Sequence, residues 1–307
     1  MILCVTPNPA IDRTLHVNAL HVGEVHRADK VLAVAGGKGL NVARTIHALG
    51  GKPLCMGLIG GHAGNLLEEL AEREGLSAHW TRMKNETRTC IILVERGRDA
   101  TVVNERGAEV SAEECRMFLE NIWSQTERAQ LVCVSGSLPP GFSMDDFSAM
   151  LHGLVARKKP VWVDTSGAAL GTALDVRGVN IKVNAAELGE VLGLDISNME
   201  QAANVARKLC KLGVEQAVVT MGKQGAVFVS DSGSWIAKPP EVQVVSSVGS
   251  GDAFLGGLAF ALEHGHLSEV ALRYGAAAGA ANTLQFSGGM VMRGELEGLC
   301  DKIVVTR

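Results

Sequence analysis

Aromatic side chains are scarce: 4% of 307 residues, with a single tyrosine. A chain so poor in ring faces offers no base-stacking platform. Positive charge is not in excess either, with 29 Lys and Arg against 33 Asp and Glu, so the electrostatic footprint of a nucleic-acid binder is missing. No apolar stretch suits a lipid-facing helix. Tyr274 to Met292 carries no charge, but Gly, Asn, Gln and Ser interrupt it. Met1–Val5 has no basic flank and meets Pro7 too early for a signal-peptide core. The seven cysteines (Cys4, Cys55, Cys90, Cys115, Cys133, Cys210, Cys300) are odd in number, scattered and without a C-x-x-C pair. They read as small buried hydrophobes in a reducing compartment, and a cytoplasmic location is expected.

Several catalytic signatures are absent as well. No G-x-G-x-x-G dinucleotide fingerprint, H-E-x-x-H zinc motif or G-x-S-x-G elbow occurs. The segment around Lys38 is not a Walker A loop, because Gly39 stands where Ser or Thr is required. His264-Gly265-His266 reads as an exposed turn between helices. What remains is 47% hydrophobic and 20% charged, a globular composition. At about 150 residues per domain the length allows roughly two domains or one large α/β domain.

Short apolar runs alternate with helical patterns. Ile2–Thr6, Leu54–Ile59, Leu131–Ser135, Val161–Asp164, Asn180–Val183 and Ala217–Thr220 read as strands. Asn41–Leu49, Gly64–Glu74, Ala112–Trp123, Met144–Arg157, Ala186–Leu192 and Glu200–Leu212 read as helices. The alternation predicts an α/β fold, a doubly wound, mostly parallel sheet flanked by helices. Arg13–Val34 and Thr87–Val103 alternate like strands with no helix between them. They predict a small β-sheet lid, inserted at about 13–34 and 87–103 in a single domain spanning 1–307. Ligands should collect beyond the carboxyl ends of the parallel strands.

Four constellations could carry chemistry. Gly36-Gly37-Lys38-Gly39-Leu40-Asn41 enters a helix and could present N–H groups and one ammonium to an anion, or simply make a tight turn. Gly249-Ser250-Gly251-Asp252 enters an apolar helix; its glycine-flanked N–H groups suit developing negative charge. Asp252 would there accept a proton from an attacking hydroxyl, or it merely caps the helix. Lys182, Asn184 and Glu187 follow a strand, and Asn184 with Glu187 could hold waters around Mg²⁺ or form a capping box. Thr220-Met221-Gly222-Lys223-Gln224-Gly225 either admits nucleotide phosphates or turns a hairpin. Asp12 follows the turn Pro7-Asn8-Pro9, Arg27 and Arg88 fall in the lid segments, and Ser135–Gly141 shapes a loop on the same rim. Two arginines on one small sheet could clamp a phosphate.

Together these parts describe a small-molecule kinase outside the P-loop class. Ala35–Ala43 resembles the first signature of the ribokinase-like (PfkB) sugar kinases and Val245–Leu258 the second, and the similarity runs through the whole chain in order. Glu86-Thr87-Arg88, Ser135–Gly141 and Ser234–Pro240 look like the phosphosugar branch: 1-phosphofructokinases, tagatose-6-phosphate kinases and minor 6-phosphofructokinases. Ser250 departs from the alanine usual in the family.

The resemblance implies ATP-dependent phosphorylation of a ketohexose monophosphate, foremost fructose 1-phosphate, with tagatose 6-phosphate or fructose 6-phosphate as alternatives. A non-catalytic sugar-phosphate-binding regulator is the different-class alternative. Asp252 would be the base, and Gly249, Ser250 and Gly251 the anion hole. Asp12 and Asn41 would bind sugar hydroxyls, and Gly37, Lys38, Arg27, Arg88 and Ser137 the rest of the phosphosugar. Lys182, Thr220, Gly222, Gly225, Gly251 and Gly279 would line the nucleotide site. Asn184 and Glu187 would act on Mg²⁺ through water, and Ser246, Val248 and Asn282 would hold K⁺. A homodimer paired through the lid is the implied assembly, with no nucleic-acid or membrane partner.

Overall fold

The computed structural model describes residues 1–95 and 100–307. In chain order the first half comprises β1 (Ile2–Thr6), β2 (Ala10–Val17), β3 (Lys30–Gly36), α1 (Lys38–Ala48), β4 (Pro53–Ile59), α2 (Gly61–Arg73), β5 (Ser77–Arg82), β6 (Arg88–Glu95), β7 (Thr101–Asn104), α3 (Ala112–Thr126), β8 (Leu131–Ser135) and α4 (Met144–Val155). The second half comprises β9 (Val161–Asp164), α5 (Gly167–Asp175), β10 (Asn180–Asn184), α6 (Ala185–Leu192), α7 (Met199–Leu212), β11 (Gln216–Thr220), β12 (Ala226–Ser230), β13 (Gly233–Lys238), α8 (Ser250–Glu263), α9 (Ser268–Thr283), α10 (Arg293–Cys300) and β14 (Val304–Thr306).

The large sheet has the order β14-β13-β12-β11-β10-β9-β8-β1-β4-β5. From β5 to β11 neighbouring strands run parallel, and β12 to β14 add an antiparallel edge. Strand β1 is wholly buried because both faces are covered. Ile2 and Cys4 point to one core with α1, α8 and α9, while Leu3 and Val5 point to another with α3 and α4. That is the period-2 alternation of a doubly covered strand. Capping boxes start α3 at Ser111 with Glu114 and α4 at Ser143 with Asp146. All seven cysteines are free and five are buried, as expected for small hydrophobes. Among the described residues, no helix is long and apolar enough to cross a membrane.

The smaller sheet has the order β3-β2-β6-β7 and forms the lid. Two expectations need correction here. The strands expected within Arg13–Val34 are β2 and β3, but β2 begins earlier, at Ala10, and residues 18–29 form a connection in which Arg27 is exposed, outside either strand. Residues 96–99 of the expected segment 87–103 lie outside the described residues. Helix α1 begins at Lys38, three residues before Asn41, because Gly37 at φ 107° turns the chain sharply into the helix.

The order reverses at β1, whose crossovers lead to β4 on one side and whose other neighbour is β8. A crevice outside the carboxyl ends is expected at such a switch point. Thr6, Ser135, Asp164, Asn184 and Thr220 end successive parallel strands on that rim.

Candidate active site

Helix α8 starts at Gly249 in the left-handed region, with no side chain capping it. A Cβ there would stand 2.3 Å from Gly288 Cα, so both the positive φ of 77° and the close passage of the 287–289 loop demand glycine. Asp252 lies in the first turn, only 6% exposed, and does not cap the helix. Its Oδ2 instead accepts a 2.8 Å hydrogen bond from Asn41 Nδ2 on α1. Burial, reinforced by Asp164, pushes the Asp252 carboxyl up to about 6 against the opposing pull of Lys38, Lys182 and Asn41. A Cβ on Gly251 would come within 2.8 Å of Lys182 Nζ, which places that ammonium beside the helix start. The Ser250 N–H is engaged by Ser247 O at 3.2 Å, so it does not contribute to an open cradle in this arrangement.

Asp164, at the end of β9, is the charge centre that sequence reading missed. It is fully buried and accepts from Lys38 Nζ at 2.9 Å and Lys182 Nζ at 2.7 Å. Burial works to raise its pKa, but the two ammonium groups outweigh it and hold the carboxylate ionised. Lys38 also lies 3.5 Å from Glu187 Oε1. Burial favours the neutral amine, yet Asp164, Asp252 and Glu187 together raise the Lys38 pKa and keep it charged. Asn184 and Glu187 do form a capping box on α6: Glu187 N donates to Asn184 Oδ1 at 2.8 Å. That contact leaves Glu187 Oε1 facing Lys38, so the capping pair also belongs to the rim.

A cavity of about 560 Å³ opens next to this rim, lined by Asn184, Gly189, Ile196, Thr220, Gly222 and Gln224 among others. Thr220 Oγ1 donates to Val183 O at 3.4 Å. Gly225 serves the β11–β12 turn instead, where a Cβ would meet Ala237 O at 2.0 Å. Gly279 packs α9 against α8, with Ser250 O 3.2 Å from where its Cβ would be.

On the lid side, the half-buried Asp12 carboxylate accepts from Gly37 N at 3.4 Å. Burial raises its pKa against Gly37, Arg44, Arg88 and Cys90. Arg88 donates to Asn8 O at 2.9 Å and to Glu105 O at 2.9 Å. Asn8 in turn donates to Ser137 Oγ at 3.3 Å, joining Ser137 to this group. Arg27 stands apart in its exposed connection. Ser246, Val248 and Asn282 do meet: Val248 N donates to Ser246 Oγ at 3.3 Å, and Asn282 Nδ2 donates to Val248 O at 3.0 Å. Asn8, Arg44 and Glu74 also went unnoticed as site residues. Arg44 carried a signal, being the one charged residue in Gly39–Ile46 and standing three positions after Asn41.

Residues 5–291 match the family model described as pfkB family carbohydrate kinase. The chain belongs to this family. It is therefore built to transfer a phosphoryl group to a sugar hydroxyl. Among solved structures, it resembles Escherichia coli phosphofructokinase-2 in complex with fructose-6-phosphate: 25% identity, 98% of each chain covered, TM-score 0.89. The same enzyme in complex with potassium matches at 26% identity over 98% of each chain, TM-score 0.90. A Thermotoga maritima protein described as "Possible 1-phosphofructokinase" shares the fold: 24% identity, 100% of this chain and 99% of that one, TM-score 0.91.

Proposed function

We propose that this pfkB-family kinase transfers the γ-phosphoryl group of ATP to the C6 hydroxyl of fructose 1-phosphate, giving fructose 1,6-bisphosphate and ADP. The carrying observation is the buried, electrostatically poised Asp252 in the first turn of α8, with Lys38 and Lys182 beside it. A carboxyl with a pKa of about 6 is ionised at neutral pH yet basic enough to accept the hydroxyl proton as the phosphoryl group arrives. Phosphoryl transfer asks chiefly for positioning and charge neutralisation, which the α8 N-terminus and two lysines supply.

Asp12 and Asn41 hold sugar hydroxyls in this reading, and Gly37, Lys38, Arg88 and Ser137 take the existing phosphate and its surroundings, with Arg27 left outside in its exposed connection. Lys182, Thr220, Gly222 and Gly251 belong to the nucleotide side, whereas Gly225 serves the β11–β12 turn and Gly279 the packing of α9 on α8. Asn184 and Glu187 fit Mg²⁺ held through water, since Asn184 lines the cavity and Glu187 is paired with it at the start of α6; the ion would supply neutralisation of the phosphate charge. Ser246, Val248 and Asn282 fit K⁺: they are clustered, and Ser287 Oγ nearby in sequence is buried without a partner. The whole chain acts as one domain in a reducing cytoplasm. It pairs as a homodimer through the lid, whose strands expose Val31, Val102 and Val103.

The phosphosugar assignment draws on the complex of E. coli phosphofructokinase-2 with fructose-6-phosphate, and the 1-phosphate position on the sequence likeness in Ser234–Pro240. ADP release from ATP and Mg²⁺, with fructose 1-phosphate, fructose 6-phosphate, tagatose 6-phosphate and free ketohexoses in parallel, tests it. Strong preference for fructose 1-phosphate is expected, and Arg88→Ala should raise the KM for that sugar while leaving the KM for ATP unchanged. Activity confined to unphosphorylated sugars, or equal weakening of both substrates in the variant, would overturn the phosphate-binding assignment.

A further inference from the structure

Arg44 is a buried arginine on α1 that gathers four separate acceptors. Its Nη1 donates to Asn41 Oδ1 and to Gly288 O, both at 2.7 Å. Nη2 donates to Ala35 O and Nε to Glu74 Oε2, both at 2.6 Å. Glu74 completes the junction by accepting from Ala35 N at 3.0 Å. The pair thus holds both backbone groups of Ala35, near the end of lid strand β3, and the loop that packs on Gly249.

An asparagine amide can present either its oxygen or its nitrogen, and the hydrogen-bond network decides which. With Oδ1 committed to a guanidinium, Nδ2 is the atom turned towards Asp252, and the polarised amide becomes a stronger donor to the ionised carboxylate. The buried ion pair alone could serve packing, but packing does not require the guanidinium to select the Asn41 rotamer. We propose that Arg44 is a positioning residue for the transfer reaction: it fixes the Asn41 amide so that Nδ2 faces Asp252, and ties that orientation to the end of the lid strand. This rests on the reading of Asp252 as the base. The charged groups facing Asp252 are Lys38 from α1, Asp164 from β9 and Lys182 from β10, with Arg44 and Glu74 behind Asn41.

Arg44→Lys keeps the charge but cannot reach all four acceptors at once. The test compares kcat and KM against pH for wild type, Arg44→Lys, Asn41→Ala and the double variant, with Asp252→Asn alongside. Expected for Arg44→Lys is a loss in kcat of roughly 10- to 100-fold, the size of one charge-assisted hydrogen bond, with the KM for ATP unchanged. The acidic limb of kcat should move to higher pH, because an ill-placed amide no longer favours the ionised base. In the Asn41→Ala background the same change should cost little further. Should Arg44→Lys fail to fold, Glu74→Gln loosens the guanidinium without removing it, and a limb shift of the same sign is expected. An unmoved limb with lowered stability alone, or a loss that adds fully to that of Asn41→Ala, overturns the proposal. Wild-type turnover in Asp252→Asn would instead bring down the reading of the base.

Discussion

Asp252→Asn is expected to fold and to lose turnover by roughly 10²–10⁴-fold, the usual contribution of a positioned general base. The asparagine keeps the shape of the carboxylate beside Asn41 but cannot take the hydroxyl proton. In the wild-type enzyme the same group should set the acidic limb. Activity is full where Asp252 is ionised and falls as pH drops through about 6. A second consequence follows from the raised pKa. Because the folded state binds this proton more tightly than the unfolded chain does, Asp252 opposes folding increasingly as pH rises from the ordinary aspartate range to about 6, and fully above it. Asp252→Asn should therefore be at least as stable as wild type at neutral pH while being nearly inactive, which chemical denaturation beside steady-state kinetics would reveal. Destabilisation equal to the loss of activity would assign Asp252 to the fold instead.

Asp164→Asn is expected to have the largest effect on stability. The carboxylate is fully buried between two lysines, and its neutralisation leaves Lys182, itself only 3% exposed, without its hydrogen-bonded counter-charge and with only the Asp252 carboxylate facing it. Removing one partner of a buried ion pair costs about 3–5 kcal/mol. Lys38, a third exposed, can turn towards Glu187 and solvent, so Lys182 should carry most of the penalty. Adding Lys182→Met to Asp164→Asn should then recover much of the loss in a denaturant titration, even though activity stays low. A change below about 1 kcal/mol in Asp164→Asn would mean that the ion triad is screened by water that enters freely.

Legibility in the sequence followed the strength of the local signal. Strand β1 and strands β8 to β11 are short apolar runs, and burial on both faces leaves little else they could be. The outer edge strands β13 and β14 and helix α9 do not stand out in the sequence. The edge strands are short and half-polar at β13, and α9 is so rich in alanine and glycine that no polar stripe sets its period. At the site, glycine-rich turns announced the starts of α1 and α8, so Lys38, Asn41 and Asp252 could be picked out. Asp164 ends an unremarkable strand, and nothing local says that two lysines converge on it from positions 38 and 182. Arg44 and Glu74 were hidden for the same reason, since their partnership spans α1, the end of α2 and β3. Spacing could not decide between a capping box and an ion site for Asn184 and Glu187. The side chains make the box while one carboxylate oxygen still faces Lys38.

Transfer of a phosphoryl group to a sugar phosphate is distinguished from mere binding or hydrolysis by the fate of the phosphorus. The most direct test is ³¹P NMR of a reaction containing the protein, ATP, Mg²⁺ and fructose 1-phosphate. ADP signals are expected to grow in step with one new phosphomonoester resonance on the same sugar, at C6, with no matching inorganic phosphate. ATP consumed to inorganic phosphate without a new ester, or unchanged spectra from a folded, ATP-binding protein across the phosphosugars, would contradict it.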